Sequence, residues 1–278
     1  GLVGPLSFEG EKVYAPIATT EGALVASMNR GARAISLCGG FNSHVSKKVM
    51  LRAPMFEFEN IKQAYKEEMN WMGGIMEVYY TLAQDFLYEN PMRNIIFLDN
   101  HDVHRIAKDM DGNIDKIKST LAFLLTTRGI PCIMYGTEIG IQNEIYDHGL
   151  IRADFPGGWV GDAKNKFEKS GRTDYENEIF DFMTSLIHYR NKTPAIHSGK
   201  LTQFIPENGV YVYFRYDKKK TIMVIMNTHS KEITLDTTRF QECIKNKTTG
   251  KNVISNQKTN LSDISLKPYE TLVLELQE

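Results

Sequence analysis

Residues 94–106, NIIFLDNHDVHRI, decide how the middle of the chain is interpreted. Four consecutive apolar residues at 95–98 predict a short buried strand. That strand runs straight into the polar sequence Asp-Asn-His-Asp at 99–102, so ionisable side chains stand at its carboxyl end. Sheets of parallel strands place their functional sites at this end of the strands. The stretch therefore predicts an α/β fold with a candidate site where the strand ends.

Helices and strands alternate on both sides of this stretch. Apolar residues recur at helical spacing through about residues 60–88 and through 114–128, and the apolar segment 129–138 predicts a second short strand. Residues 140–173 are rich in Gly, Asp, Pro and Asn and predict a long loop, which at this length is usually either functional or disordered. A third helix is predicted over 176–192. This order is typical of a (β/α) barrel or a doubly wound sheet.

The pattern changes after Pro194, from helical spacing to alternation. Four segments read as alternating strands with turn residues between them: GVYVYFRY, KTIMVIMNT, KEITLD and TLVLELQE. They predict an antiparallel β-sandwich over residues 197–278. At the other end of the chain, residues 11–19 predict a strand, and a helix is predicted to follow and to stop at the glycine pair 39–40.

Composition and charge exclude several classes of function. The formal net charge of −1 offers no basic field to nucleic acid or to an anionic membrane. No apolar stretch approaches the ~20 residues that span a bilayer, and the first residues lack the pattern of a signal peptide. Cys38, Cys132 and Cys243 lie too far apart for a zinc motif or a disulfide framework. We expect no nucleic-acid partner, no membrane partner and no metal site; the compartment, cytoplasmic or periplasmic, stays open.

Three motifs after residue 90 resemble the α-amylase family, glycoside hydrolase family 13. FLDNHDVHR, at 97–105, resembles its fourth conserved motif, and GIPCIMYGTEIG, at 129–140, resembles its last barrel strand and the following turn. RADFPGGW, at 152–159, resembles a loop of the neopullulanase and cyclomaltodextrinase branch. The resemblance covers roughly residues 62–278. It implies a partial (β/α) barrel over 59–196, with the last strands and helices only, followed by the β-sandwich.

The resemblance also implies roles for individual residues. Asp102 matches the carboxylate that grips sugar hydroxyls and stabilises the transition state, and His101 matches its hydrogen-bonding neighbour. A carboxylate is favoured there because glycoside cleavage builds positive charge on the sugar ring. Asn100 and Arg105 are expected to position Asp102. The expected ligands are α-glucan oligosaccharides, with further contacts from Glu138, Arg152, Asp154 and Trp159, the last stacking on a sugar face.

Each of these roles has a structural alternative. His101 and Asp102 also fit a strand-end turn in which Asp102 caps the next helix, or a metal site shared with His104. Glu138 fits a solvated turn as well as a substrate contact. The loop at 152–159 fits ordinary packing as well as sugar binding.

The carboxylates that a retaining glycosidase needs are not all present. Such enzymes use one carboxylate as nucleophile and another as general acid. In the α-amylase family both come from strands before the one that carries the His-Asp pair. Neither a Gly-Phe-Arg-x-Asp motif nor a strand-ending Gly-Glu precedes Asp102 in this sequence. We therefore expect this chain to be inactive as a hydrolase. No cofactor is expected for the hydrolase part, and calcium is a candidate only in the parent enzyme.

The first 58 residues resemble a different family, 3-hydroxy-3-methylglutaryl-coenzyme A reductase. GLVGPL, YAPIATTEGALVASMNRGARAISLCGG and MLRAP carry the resemblance, which implies an α+β fragment of another fold. Glu21 matches the acid that takes part in proton delivery, and Arg52 matches the arginine that contacts the hydroxymethylglutaryl group. The coenzyme A side of the site matches Ser27, Asn29 and Arg30. The alternative for Glu21 is a carboxylate at a helix N-terminus. NADPH is expected only if the reductase part were complete.

Three hypotheses follow from these two resemblances. The first is a fragment of an α-glucan hydrolase behind a foreign N-terminal piece, with the seam around residues 56–66. The second is a reductase fragment that makes mevalonate with NADPH. The third is a non-catalytic remnant that binds glucan, with Trp159 and Tyr146 as the residues that stack on the sugar. Turnover of maltooligosaccharides, turnover of hydroxymethylglutaryl-coenzyme A, and binding without turnover separate them.

Overall fold

A short turn of two left-handed residues shapes the start of the chain. Glu9 (φ 50°) and Gly10 (φ 87°) join strands β1 (Leu2–Phe8) and β2 (Glu11–Pro16) into an antiparallel hairpin, as turns of this kind do. Helix α1 (Gly22–Leu37) follows. It ends where predicted, at Gly39 and Gly40, both with positive φ. The computed structural model describes residues 1–17, 22–40, 55–57 and 74–278.

The chain divides into two units, Gly1–Arg52 and Ala53–Glu278. In the described part of the first unit, Val3 and Ala32 are buried apolar side chains. Other apolar residues of α1 are exposed, with Leu24 44%, Met28 40% and Ile35 43% accessible. The hairpin and the helix thus bury little apolar surface in this unit.

A parallel sheet lies at the start of the second unit. Its described strands are β3 (Met55–Glu57), β4 (Ile95–Phe97) and β5 (Ile130–Pro131), in that order. Parallel strands need long connections, and here helices supply them. The helices up to the end of this region are α2 (Ile75–Ala83), α3 (Ile106–Asp109), α4 (Ile114–Thr126), α5 (His148–Ile151), α6 (Asp174–Asn191) and α7 (Pro194–His197). No helix among the described residues is long and apolar enough to cross a membrane.

Side-chain caps fix where the two long helices of this unit begin. The Asn113 side chain accepts hydrogen bonds from the backbone N–H groups of Asp115 and Lys116, and α4 starts directly after it. Thr173 and Glu176 form a capping box at the start of α6. Both helices confirm the sequence-based expectation, and α6 begins two residues before the predicted start at 176.

The C-terminal part of the chain forms two antiparallel sheets. A six-stranded sheet has the order β11-β10-β13-β8-β7-β6, and a two-stranded sheet pairs β12 with β9. Helix α8 (Gln241–Ile244) lies between β9 and β10 in sequence. The strands are β6 (Lys200–Gln203), β7 (Val210–Tyr216), β8 (Thr221–Asn227), β9 (Ile233–Leu235), β10 (Thr249–Asn252), β11 (Lys258–Asn260), β12 (Ile264–Leu266) and β13 (Thr271–Gln277).

The six-stranded sheet is buried on both faces. One face packs with α2, α4 and α6 in a single core, through Tyr211, Tyr213, Ile222, Val224, Met226 and Val273. The other face packs against β9, β12 and α8, through Val212, Phe214, Met223, Ile225, Leu272 and Leu274. Strands covered on both faces read as continuous apolar runs rather than as alternation. Residues on both sides of position 196 therefore share one core.

Candidate functional site

A buried carboxylate holds the end of β4 in place. Asp99 is 3% exposed. One of its oxygens accepts a hydrogen bond from the Ile106 N–H at the start of α3 (3.0 Å), and the other accepts one from the Thr137 hydroxyl (2.8 Å). A carboxylate at a helix N-terminus is favoured by the unpaired N–H groups there. Asp99 thus ties β4, α3 and the turn after β5 together, and the residues between Asp99 and Ile106 form a supported surface turn.

Arg105 is buried beneath this turn and does not lie beside Asp102. Its Nε atom is 3.5 Å from an Asp99 oxygen, and its guanidinium donates to the Tyr135 carbonyl. Its backbone N–H donates to the Asn143 side chain (2.9 Å). Arg105 was expected to position the Asp102 carboxylate, and in the structure its side chain lies against Asp99. Because the guanidinium is fully buried, it pairs with the buried carboxylate at the end of β4 rather than with the exposed one.

The side chains of the turn are exposed and held in place from two directions. Asn100 accepts a hydrogen bond from the Asp102 N–H (2.7 Å), which closes an Asx turn. The Asp102 carboxylate, 58% exposed, lies 3.2 Å from the His101 Nε2 atom. Its other oxygen accepts a hydrogen bond from the Arg152 guanidinium (3.0 Å). Asp102 therefore has an imidazole or guanidinium nitrogen close to each carboxylate oxygen and still faces solvent.

Two residues from the following loop also reach this turn. The Arg152 Nε atom donates to the His101 carbonyl (3.0 Å), and the Tyr146 hydroxyl donates to the Asp102 carbonyl (2.6 Å). Arg152 also contacts the His148 Nδ1 atom (3.2 Å). Arg152 is the arginine beside Asp102, across fifty positions of sequence. No periodic pattern in the sequence points to Tyr146 or His148 in this place.

The remaining predicted site residues lie in less defined positions. Glu138 is half-buried in a short turn between two buried residues, and Asp154 is exposed. Trp159 is 67% exposed, and its backbone N–H donates to Asp162 (3.1 Å). Within the described part of the chain, none of the three forms a hydrogen bond or ion pair with Asp102. The structure brings together Asn100, His101, Asp102 and Arg152.

His104, the third residue of the alternative metal site, has a different partner in the structure. The His104 ring nitrogen Nδ1 contacts the Asn143 side-chain amide instead (2.6 Å). Among the described residues, no group of three or more His, Cys, Asp and Glu side chains could hold a metal ion. The alternative of a shared site with His101 and Asp102 thus has no geometry to support it.

The reductase-like residues that are described lie on α1. Glu21 and Arg52 are outside the described residues. Ser27 and Arg30 are exposed. The Asn29 side chain accepts from the Gly4 N–H (2.9 Å) and donates to the Leu2 carbonyl (3.3 Å). Asn29 therefore connects α1 to the hairpin, beside a cleft of about 770 Å³ that is lined by Lys12, Tyr14, Arg33 and others.

The two ends of the chain are similar to two different families of known proteins. Residues 201–275 match the family model of the cyclo-malto-dextrinase C-terminal domain. Residues 1–86 match the model of hydroxymethylglutaryl-coenzyme A reductase. Alpha-amylase 3 of Dictyoglomus thermophilum is 30% identical over 222 residues, which are 73% of this chain and 43% of that protein. The 3-hydroxy-3-methylglutaryl-coenzyme A reductase of Blattella germanica is 49% identical over 72 residues, 26% of this chain and 8% of that protein.

Solved structures of α-amylases resemble the larger part of this chain in fold. The α-amylase from Geobacillus thermoleovorans, complexed with acarbose, has a TM-score of 0.60 at 23% identity and covers 79% of this chain. This chain in turn covers 46% of that one. The chain joins a reductase-like segment to an α-amylase-like segment.

The α-amylase-like segment contains the whole candidate site, and the chain spans less than half the length of the α-amylases it matches. The reductase match extends past the predicted end at 58, as far as α2. The position of the seam at 56–66 therefore stays a prediction.

Proposed function

We propose that residues 59–278 are the C-terminal part of an α-glucan hydrolase, a partial (β/α) barrel followed by a β-sandwich. The similarity to α-amylases over most of the chain supports this assignment. So does the placement of the candidate site at the carboxyl end of a strand in a parallel sheet. In this proposal the turn at 100–102 is the surface that meets the sugar.

The exposed Asp102 carboxylate carries the proposal. The carboxylate accepts a hydrogen bond from Arg152 and faces solvent, so a sugar hydroxyl can add a charge-assisted hydrogen bond without a buried charge being created. In a complete enzyme the same carboxylate would favour the positive charge that develops on the ring. His101 is placed to donate to a neighbouring sugar oxygen. Solved relatives are described as complexed with acarbose, maltotriose and maltose, which supports α-glucan oligosaccharides as the ligand class.

The chemistry that this chain's own residues can perform is binding and orientation. The nucleophile and the general acid have no counterpart in the motifs before Asp102. We therefore propose that the 278-residue chain binds α-glucan and does not cleave it.

Titration of the chain with maltotriose, followed by NMR, tests this proposal. Asp102→Asn should weaken binding roughly tenfold, because a hydrogen bond to a charged group is lost. Asp111→Asn is the matched control. It removes the same charge from an exposed position with φ 54°, a conformation that Asn adopts readily, and should leave binding unchanged.

Two results would contradict the proposal. Equal affinity in wild type and Asp102→Asn would remove Asp102 from the site. Release of glucose or maltose from maltotriose in the same tube, absent from a sample without protein, would show that the chain is a hydrolase after all.

A reductase fragment is the second candidate function, favoured by the 49% identity over 72 residues to the Blattella germanica reductase. The described residues of that unit form a hairpin and one helix, not a dinucleotide-binding βαβ unit. Oxidation of NADPH that depends on hydroxymethylglutaryl-coenzyme A would favour this candidate over the first.

A further inference from the structure

Two residues of the loop after β5 form hydrogen bonds to the His101–Asp102 turn. Tyr146 and Arg152 together donate three hydrogen bonds to it. Two go to the backbone carbonyls of His101 and Asp102, and one goes to the Asp102 carboxylate. We refer to residues 145–152 as the clamp segment.

The clamp segment is itself fixed at both ends. At its start, the Asn143 amide donates to the Ile145 carbonyl (2.8 Å), while the Asn143 oxygen accepts from the buried Arg105 backbone. At its end, Ile151 is 1% exposed, and the Arg152 carbonyl accepts from the Tyr135 hydroxyl (2.9 Å). Contacts with buried residues therefore fix the clamp segment in place, and the clamp segment in turn holds the turn.

The Tyr146 ring is held separately from its hydroxyl. His104 and His148 lie edge-on to it, with ring centroids 5.2 Å and 5.5 Å away. Edge-to-face arrangements of this kind are favourable for aromatic pairs. The rings orient Tyr146, and the hydroxyl is then directed at the Asp102 carbonyl.

We propose that Tyr146 and Arg152 are positioning residues, which preset the Asp102 carboxylate for a sugar and do not bind the sugar themselves. This inference rests on the proposed function and deepens it. An exposed carboxylate on an unsupported turn samples several rotamers, and binding must then bear the entropy of fixing one of them. Arg152 engages one carboxylate oxygen and the His101 carbonyl at once, so side chain and backbone are oriented together. The resemblance implies that Arg152 contacts the substrate, whereas this proposal assigns it a positioning role.

A double-mutant cycle separates positioning from direct binding. Arg152→Lys keeps the charge but loses the two-pronged donor, and should weaken maltotriose binding roughly tenfold. In an Asp102→Asn background the same change should cost less than about twofold, because Arg152 acts through Asp102. Equal losses in the two backgrounds would mean that Arg152 contacts the sugar itself, which overturns the proposal.

Tyr146→Phe tests the second proposed positioning residue. It keeps the ring between the two imidazoles and removes one donor, so affinity should fall roughly three- to tenfold. The backbone amide order parameters of His101 and Asp102 in the ligand-free chain should also fall, which a role confined to global stability would not produce. Tyr80→Phe is the control, since that ring is 49% exposed on α2.

The order parameters keep this test separate from the proposed function. If wild type does not bind maltotriose, the proposed function fails, and the ligand-free amides alone decide the clamp. Unchanged order parameters at His101 and Asp102 in Tyr146→Phe overturn the clamp, whatever the chain binds.

Discussion

At the scale of single residues, buried arginines organise the helix ends. Arg190, 7% exposed, donates to the carbonyls of Leu125 (2.9 Å), Thr127 (3.4 Å) and Gly129 (2.8 Å), at and just after the C-terminus of α4. Those carbonyls have no partner within their own helix. Arg215 does the same for α7, donating to the carbonyls of Ala195, Ile196 and Gly199. Burial lowers the pKa of Arg215 to about 10.

Arg190→Met should destabilise the chain strongly. Methionine keeps much of the apolar stem but leaves three buried carbonyls without a donor, at a cost of about 2–4 kcal/mol in the free energy of unfolding. Urea unfolding followed by circular dichroism measures it. Arg93→Met, at an exposed position, should change the same quantity by less than about 0.5 kcal/mol. Similar effects of the two substitutions would contradict the capping role.

The sequence selected His101, Asp102, Arg105 and Arg152 as site residues, but not the contacts between these side chains and their neighbours. Asp102 and His101 could be selected from the sequence because a polar cluster after an apolar run is a local signal. The pairing of Arg152 with Asp102, and of Arg105 with Asp99, depends on which side chains are buried. Burial is a property of the folded chain and cannot be predicted from the spacing of motifs.

At the scale of elements, the predictions of helices were confirmed where the sequence has both an apolar repeat at helical spacing and a side-chain N-cap. Helices α4 and α6 combine apolar periodicity with clear N-caps and lie where expected. Strands such as β6 (KLTQ) and β10 (TGKN) are short and polar, and were missed. Within 129–138 the sequence predicted a short buried strand running into a polar turn, and the paired strand is Ile130–Pro131, of which Ile130 is 51% exposed. Strand propensity is weak evidence where pairing with a neighbour decides the outcome.

One contact between elements makes stability depend on pH. The Glu275 carboxylate on β13 accepts hydrogen bonds from the Tyr189 hydroxyl on α6 (2.6 Å) and from Lys220 (2.9 Å). Burial alone would raise the pKa of Glu275, but these hydrogen bonds outweigh it and leave the pKa below its ordinary value. A depressed folded-state pKa contributes stability that is present above the unfolded-state pKa. That stability is lost as the pH falls through the folded value.

Glu275→Gln should therefore flatten the acid limb of the stability curve. Between about pH 5 and pH 3 the wild-type free energy of unfolding should fall more steeply than that of the variant. Urea unfolding at a series of pH values measures both slopes. Glu89→Gln, at an exposed position, should keep the wild-type slope. Parallel curves for Glu275→Gln and wild type would show that this contact does not contribute.

At the scale of the whole molecule, the β-sheet region is not a separate body from the helices before it. Its central sheet presents one apolar face to α2, α4 and α6, and the two tyrosines of that face reach the helical core. Tyr213 also shares a hydrogen bond with Thr126 of α4 (2.6 Å). The sequence predicted a β-sandwich from alternation. It did not reveal the second buried face, because a run such as TIMVIMN does not say what covers it.

A piece comprising residues 198–278 should therefore fail to form a rigid fold. Removing the helices exposes a contiguous apolar face that includes Tyr211, Ile222 and Val224, and exposed faces of this kind lead to association. A proton–nitrogen correlation spectrum of the piece should be poorly dispersed, whereas residues 74–278 should give sharp, dispersed signals. A dispersed spectrum from the shorter piece would show that the sheet is stable without its helical cover.

The position of β13 in its sheet also sets the order in which the molecule is completed during synthesis. Although it comes last among the sheet's strands along the chain, it lies in the interior, between β10 and β8. The ribosome therefore makes α4, α6, β7 and β8 while the place beside β8 is still empty. Val273 can enter the helical core, and Leu272 and Leu274 the other core, only after the rest of the sheet has emerged. Premature termination before residue 271 would thus leave two cores open at once.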